Sequence, residues 1–134
     1  MYIKLLIFIL INLISFNANS IEQFNFDVTE IEITNDGNTF KGLKRGKITS
    51  NDGIVIDADN FIYDKIKNIL YANGNVKIED TVQNYIIFSD NITYFRNDEK
   101  IVTEGKSKAL DDMGQIIDAD NFTYEKPKNI LNAF

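Results

Sequence analysis

The sequence predicts an all-β domain made of repeated two-strand units, stacked as a short, quasi-one-dimensional β-solenoid with an apolar interior. Three observations predict it. Apolar and polar residues alternate at period two through the chain after residue 20. The hexapeptide "IDADNF" stands at 56–61 and again at 117–122. Turn formers such as Asn35-Asp36-Gly37-Asn38 and Asn51-Asp52-Gly53 punctuate the alternation, and no long helical period follows residue 20.

The first 20 residues stand apart from this pattern. Lys4 is followed by an apolar run from Leu5 to Ile14, broken only by Asn12, and then by Ala18-Asn19-Ser20. A charged start, an apolar middle and small residues at the end describe a secretory signal peptide, 1–20, cleaved after Ser20. An uncleaved anchor is the alternative, but the run falls short of the roughly 20 apolar residues that a membrane span needs. The domain proper is then 21–134. It contains no cysteine and needs no oxidative folding, which suits a bacterial periplasm.

Within the domain a unit recurs about every thirty residues. Asp59, Asn60, Tyr63, Leu70 and Gly74 of one copy fall on Asp90, Asn91, Tyr94, Ile101 and Gly105 of the next. A third copy supplies Asp120, Asn121, Tyr124 and Leu131. A weaker first copy at 26–49 places Ile33 near Tyr63 and Phe40 near Leu70, with a small insertion before Gly46. Inside each copy the alternation is that of a strand. Ile54, Ile56 and Ala58 share one face, and Val55, Asp57 and Asp59 the other. Asp59-Asn60 reads as a bend or bulge, because Asp and Asn hydrogen-bond their own backbone and tolerate turns. Past it Phe61 and Tyr63 face inward again. Leu70, Ala72, Val76 and Ile78 then form the second strand, with Gly74 on the apolar parity as a further bend. Stacked copies would pair each strand with its equivalent in the copy before. Inward residues then form columns: Ile56, Ile87 and Ile117; Phe61, Ile92 and Phe122; Tyr63, Tyr94 and Tyr124. Small residues (Ala58, Ala72, Ser89, Thr103) lie between the large ones. The first and last strands would be open edges able to accept further strands.

Composition excludes much chemistry. With no His and no Cys, the chain lacks thiol nucleophiles, thiolate metal sites and the usual general base. A formal net charge of −6 disfavours a nucleic-acid partner. The "DAD" strings could offer hard oxygen ligands to calcium or serve a carboxylate-dependent enzyme. However, Asp57 becomes Phe88 in the middle copy, and no glycine-rich calcium repeat accompanies the strings. A catalytic carboxylate pair needs one environment that splits two pKa values, and copies at a fixed period share similar environments. The expectation is therefore a non-enzyme without cofactor or metal.

Three stretches carry a family resemblance: "IDADNFIYDKIKNILYANGNVKIED" at 56–80, "FSDNITYFRNDEKIVTEG" at 88–105 and "IDADNFTYEKPKNILNA" at 117–133. The chain resembles the organic-solvent-tolerance-like (OstA-like) domain of the lipopolysaccharide-transport proteins, from about Phe24 to its end. That family includes periplasmic LptA and the N-terminal domain of LptD. The short, strongly matching run fits the LptD type, and the stop at Phe134 in mid-unit reads as a truncated, incomplete last copy. The resemblance implies that the repeated units form a folded-over β-jelly-roll ("β-taco") in place of a short solenoid, with an apolar slot that holds the acyl chains of lipopolysaccharide. It implies edge-to-edge pairing with other lipopolysaccharide-transport proteins, in the periplasm and associated with the outer membrane. The candidate lipid-facing residues are Ile56, Phe61, Tyr63, Leu70, Ile87, Ile92, Tyr94, Ile101, Ile117, Phe122, Tyr124 and Leu131. The alternative is a secreted structural or adhesive β-solenoid without a lipid ligand, in which the same residues are plain core.

Overall fold

The structure, a computed structural model, describes residues 24–134. The expected signal peptide at 1–20 lies outside the described residues. Thirteen strands form one continuous sheet. In chain order they are β1 (Phe24–Asp27), β2 (Ile31–Thr34), β3 (Thr39–Gly42), β4 (Gly46–Ser50), β5 (Ile54–Ala58), β6 (Asn60–Asp64) and β7 (Ile69–Asp80). There follow β8 (Tyr85–Phe95), β9 (Lys100–Glu104), β10 (Ser107–Leu110), β11 (Ile116–Ala119), β12 (Phe122–Glu125) and β13 (Ile130–Ala133). Short 3-10 turns sit at Arg96–Asp98 and Lys126–Lys128.

The sheet is creased along its middle into two layers. One layer has the order β1-β4-β5-β7-β8-β10-β11; the other has β2-β3-β6-β7-β8-β9-β12-β13. The long strands β7 and β8 run through both layers. The other strands pass from one layer to the other through links of one to three residues, such as Asp59 between β5 and β6.

Around the crease the spacing of two between buried positions is interrupted. In β5 and β6 the buried positions step from Ala58 to Phe61, three residues on. In β7 they step from Ala72 to Val76, four residues on, and the register slips between Asn73 and Val76. A three-residue step in one strand thus lies beside a four-residue step in its neighbour, the count of a β-bulge. The extra residue is accommodated by left-handed backbone: Gly74 and Asn75 have φ of 81° and 46°, and Gly105 and Lys106 have φ of 86° and 40°.

Aspartates pack against these glycines. The Asp59 N–H donates to the Gly74 carbonyl (3.0 Å), and the Asp90 N–H donates to the Gly105 carbonyl (3.2 Å). A Cβ on Gly74 would lie 2.5 Å from Asp59 Oδ2, and one on Gly105 would lie 2.8 Å from Asp90 Oδ2. The repeated "IDADNF" is therefore the corner piece of the fold. Its second Asp marks the crease, and its Phe restarts the inward pattern in the other layer.

One expectation is corrected here. Equivalent strands of successive copies are not neighbours, because every pairing is antiparallel and a strand of the intervening half-unit lies between them. Connections such as residues 65–68 and 81–84 are tight turns. Such turns can only reverse the chain, whereas parallel stacking needs a crossover of a dozen or more residues. The folded-over sheet forms in place of a solenoid.

Candidate lipid slot and its mouth

Cross-strand register assembles the interior from three main columns. In the first layer Ile48, Ile56, Ile78, Ile87, Ala109 and Ile117 stand opposite one another in turn. In the second layer the series Phe40, Tyr63, Leu70, Tyr94, Ile101, Tyr124 and Leu131 runs parallel to Phe61, Ala72, Ile92, Thr103 and Phe122. Small residues separate large ones in the last series, so that neighbouring rings fit side by side.

Ten of the twelve candidate residues are buried: Ile56, Phe61, Tyr63, Leu70, Ile87, Ile92, Tyr94, Ile101, Phe122 and Tyr124. The remaining two, Ile117 and Leu131, end their columns at the β11 and β13 margin. Leu131 is half-buried there, and Ile117 is 42% exposed. Both stand in register with buried residues, Ala109 and Tyr124, but among the described residues no strand flanks their far side. At the same margin an open groove of about 790 Å³ is lined by Lys106, Lys108, Asp118 and Phe134, among others.

Residues outside the twelve complete the interior. Phe24 and Phe26 of β1 reach the second layer, where Phe24 meets Tyr63 edge-on at 5.0 Å and Tyr94 at 5.7 Å. Phe26 stacks on Phe40 at 5.7 Å. Phe26 opens the weak first copy, whose insertion obscures the register, and Phe24 precedes that copy. Ile48, Val76 and Ile78 are buried by strand alternation. Ser89, Thr103 and Ser107 are buried hydroxyls near the crease, and they bond one another: Thr103 Oγ1 to Ser107 Oγ at 2.7 Å, and Ser107 Oγ to Ser89 Oγ at 3.2 Å.

The "DAD" carboxylates are engaged elsewhere. Asp57 lies in register between Lys47 and Lys77 on the outer face. Asp59 Oδ1 accepts from Arg45 Nη1 (2.9 Å), and its Oδ2 accepts from Asn75 Nδ2 (3.0 Å). Among the described residues no three His, Cys, Asp or Glu side chains are placed to hold a metal ion.

Opposite the crease the turns of both layers meet and form the mouth. The tyrosine column supplies part of the closure, because a buried phenol needs a partner for its hydroxyl. Tyr63 Oη donates to Asn68 Oδ1 within its own layer (2.9 Å). Tyr94 and Tyr124 instead reach across. Tyr94 Oη donates to Asp52 Oδ2 (2.9 Å) and Tyr124 Oη to Asp80 Oδ2 (2.7 Å). Asp80 is itself buried, and its Oδ1 accepts from the Val82 and Gln83 N–H groups.

Two cations join at Asp52. Arg96 Nη1 lies 3.5 Å from Asp52 Oδ2, and Lys126 Nζ donates to the Asp52 carbonyl at 2.8 Å. Burial on its own would raise the Asp52 carboxyl. Hydrogen bonds from Ser50 and Tyr94, with the Arg96 charge, outweigh burial and hold it below the ordinary aspartate value. Burial, reinforced by the Asp52 charge, pushes the Tyr94 hydroxyl well above the tyrosine range; burial and the bond to Asp80 do the same for Tyr124. The mouth was not anticipated from the sequence. Its one signal was a tyrosine column that had to find polar partners.

The class defined by this geometry is a folded-over antiparallel β-jelly-roll with apolar columns between its layers. Comparison with known proteins agrees. The fold is similar to that of LptH from Pseudomonas aeruginosa, described as the LptA-homologous periplasmic component of the conserved lipopolysaccharide transport device. The TM-score is 0.75 at 14% identity, over 82% of this chain and 80% of that one. The chain therefore has the Lpt, OstA-like fold. No family model matches the sequence, and no curated protein matches it either.

Proposed function

We propose that the chain is a periplasmic lipopolysaccharide-binding module of the transport and outer-membrane assembly machinery, a carrier and not an enzyme. Acyl chains lie between the layers, and the sugar headgroup stays in water outside the mouth. The observation that carries this reading is the pair of facing apolar surfaces, each continuous in register from one end of the sheet to the other. Acyl chains lying between the layers would contact these two surfaces along their length. Neighbouring transport proteins pair with the end strands. The exposed Ile116, Ile130 and Phe134 at the β11 and β13 margin support that assignment. Within the family we favour the LptD-type N-terminal module over a free-standing LptA-type protein, on the short run of strong motif resemblance.

Adjacent residues on β7 test the reading. Leu70 is fully buried between the layers, and Tyr71 is exposed on the outer face. A photo-reactive side chain is placed at each in turn, in Gram-negative cells. Lipopolysaccharide attached at position 70 but not at 71 is the expected result. The second reading, a structural module without lipid, is favoured by the side chains that already fill the interior, with Leu70 and Tyr94 at 0% exposure. Absence of lipopolysaccharide at both positions in a folded protein would decide for it.

A further inference from the structure

Two margins hold the layers together, and they differ in kind. Along the crease the chain itself runs from layer to layer. Along the mouth the layers are joined by side chains, and three of those contacts meet on one residue, Asp52 in the turn between β4 and β5. Tyr94, Arg96 and Lys126 all belong to the second layer and all reach it. Ser50 holds the carboxylate from its own side, and Arg96 also donates to Asn51. The side chains of Asp52, Arg96 and Lys126 are 12%, 10% and 12% exposed, so these charges are largely withdrawn from water. Beneath them Tyr94 and Tyr124 are wholly buried. The interior is full in this arrangement, so a guest can enter only if the mouth parts.

The guanidinium at the mouth is not fully satisfied. Arg96 Nε is buried and has no hydrogen-bond partner. Glu99 Oε1 stands 3.5 Å from Arg96 Nη1, and Lys126 Nζ is 4.0 Å from Asp52 Oδ2. A buried donor left unpaired is a standing cost. An anion with more oxygens than one carboxylate could satisfy Arg96 and Lys126 better than Asp52 does. Guanidinium forks match tetrahedral phosphate as well as planar carboxylate.

We propose that Asp52 is a latch across the mouth, and that an amphiphile with a phosphate headgroup releases it by taking Arg96 from the Asp52 carboxylate and Lys126 from the Asp52 backbone carbonyl. The proposal rests on the lipid-carrying reading above and adds to it the residues that admit the lipid. A ligand shifts a two-state element only by its difference in affinity for the two states. Here the difference has two sources. The acyl chain contacts the columns only when the layers part, and the phosphate reaches Arg96 and Lys126 only when Asp52 has left them. A neutral headgroup supplies the first source alone.

The test uses the absence of native cysteine. Cysteines at Val82 and Asp98, exposed positions on turns of the two layers, carry spin labels whose separation reports the mouth. The probes are lysophosphatidic acid and a neutral monoacylglycerol of the same chain length, below their micelle concentrations. In the otherwise unchanged protein the charged probe is expected to widen the mouth at a concentration on the order of fivefold lower than the neutral one. Asp52→Asn is expected to widen the mouth with no probe present. Lys126→Met is expected to erase the preference for the charged probe. Tyr94→Phe keeps every charge and should widen the mouth by less, which covers the case of a poorly folded Asp52→Asn protein; circular dichroism checks both.

A mouth that stays closed in both Asp52→Asn and Tyr94→Phe would overturn the latch. Equal response of the unchanged protein to the two probes would overturn the phosphate key. An Asp52→Asn mouth that is open but takes neither probe would overturn the lipid reading and the phosphate key with it, while the lock itself would stand. A closed Asp52→Asn mouth with probe bound normally would do the reverse.

Discussion

Gly74→Ala tests the corner logic of the fold most directly. Gly74 has φ of 81°, and a Cβ there would lie 2.5 Å from Asp59 Oδ2 and 2.9 Å from Asp59 Cβ. Oδ2 is a side-chain tip and can rotate away, but Cβ is fixed to the backbone of the neighbouring strand. The substitution therefore carries two costs. Left-handed backbone costs an alanine about 1–2 kcal/mol, and overpacking adds about 1–3 kcal/mol. Gly37→Ala separates them. Gly37 has the same backbone, φ of 83°, and nothing within 4 Å of its added Cβ, so it should lose only the first term. Urea unfolding is the assay. With a slope of about 1.5 kcal/mol/M, Gly74→Ala should lower the midpoint by about 1.3–3.3 M and Gly37→Ala by about 0.7–1.3 M. Adding Asp59→Gly to Gly74→Ala removes the opposed Cβ and should lose less than the two single effects combined. If Gly74→Ala were no worse than Gly37→Ala, the Asp–Gly contact would not be what shapes the crease.

Tyr124→Phe removes the donor to the buried Asp80 Oδ2; hydrogen bonds to charged groups contribute about 1.5–3 kcal/mol, and thermal unfolding should show a loss of that order. Ile87→Ala and Ile117→Ala delete similar side chains from one column. The first should cost about 2–5 kcal/mol, and the second well under half of that, because Ile117 is 42% exposed at the margin. Stability should also fall at both ends of the pH range. Asp52 has a folded pKa below its ordinary 3.8, so its contribution is present above that value and is lost as pH falls through the lower, folded one. Tyr94 and Tyr124 have folded pKa values raised above 10.0, so their contribution is present below pH 10 and is lost as pH rises through the folded values. Urea midpoints measured across pH should show both flanks, and Asp52→Asn should flatten the acid one.

The period of the repeat made much of this legible. Because strand residues alternate, the parity of Ile54, Ile56 and Ala58 and its reset at Phe61 mark a bend at Asp59-Asn60, where the structure has its crease. The tyrosine and isoleucine columns followed from the same spacing. Pairing partners did not follow. Tyr63, Tyr94 and Tyr124 align in sequence, but Leu70 and Ile101 stand between them in space. A repeat reports which residues are equivalent, and turn length decides which ones touch. The mouth was hidden for a different reason. Asp52, Arg96 and Lys126 are far apart along the chain, and Asp52 occupies a turn where Asp is ordinary for local reasons. Only the folding of one layer over the other brings it to Arg96 and Lys126.

These contacts decide how the layers can move. The β4–β5 turn meets the end of β8 and the turns that follow β8 and β12. The contacts at the mouth therefore cross several strands, and they tie the early part of one layer to the late part of the other. Parting at one point alone would leave the remaining contacts strained, so Tyr94, Arg96 and Lys126 should release Asp52 together. At the crease no comparable release is available. β7 and β8 pass through it unbroken, and the Asp–Gly backbone bonds join strands within the sheet and do not join the layers face to face. The fold has one margin made of covalent chain and another made of hydrogen bonds and charge. If the interior carries a lipid, its path in and out is through the second.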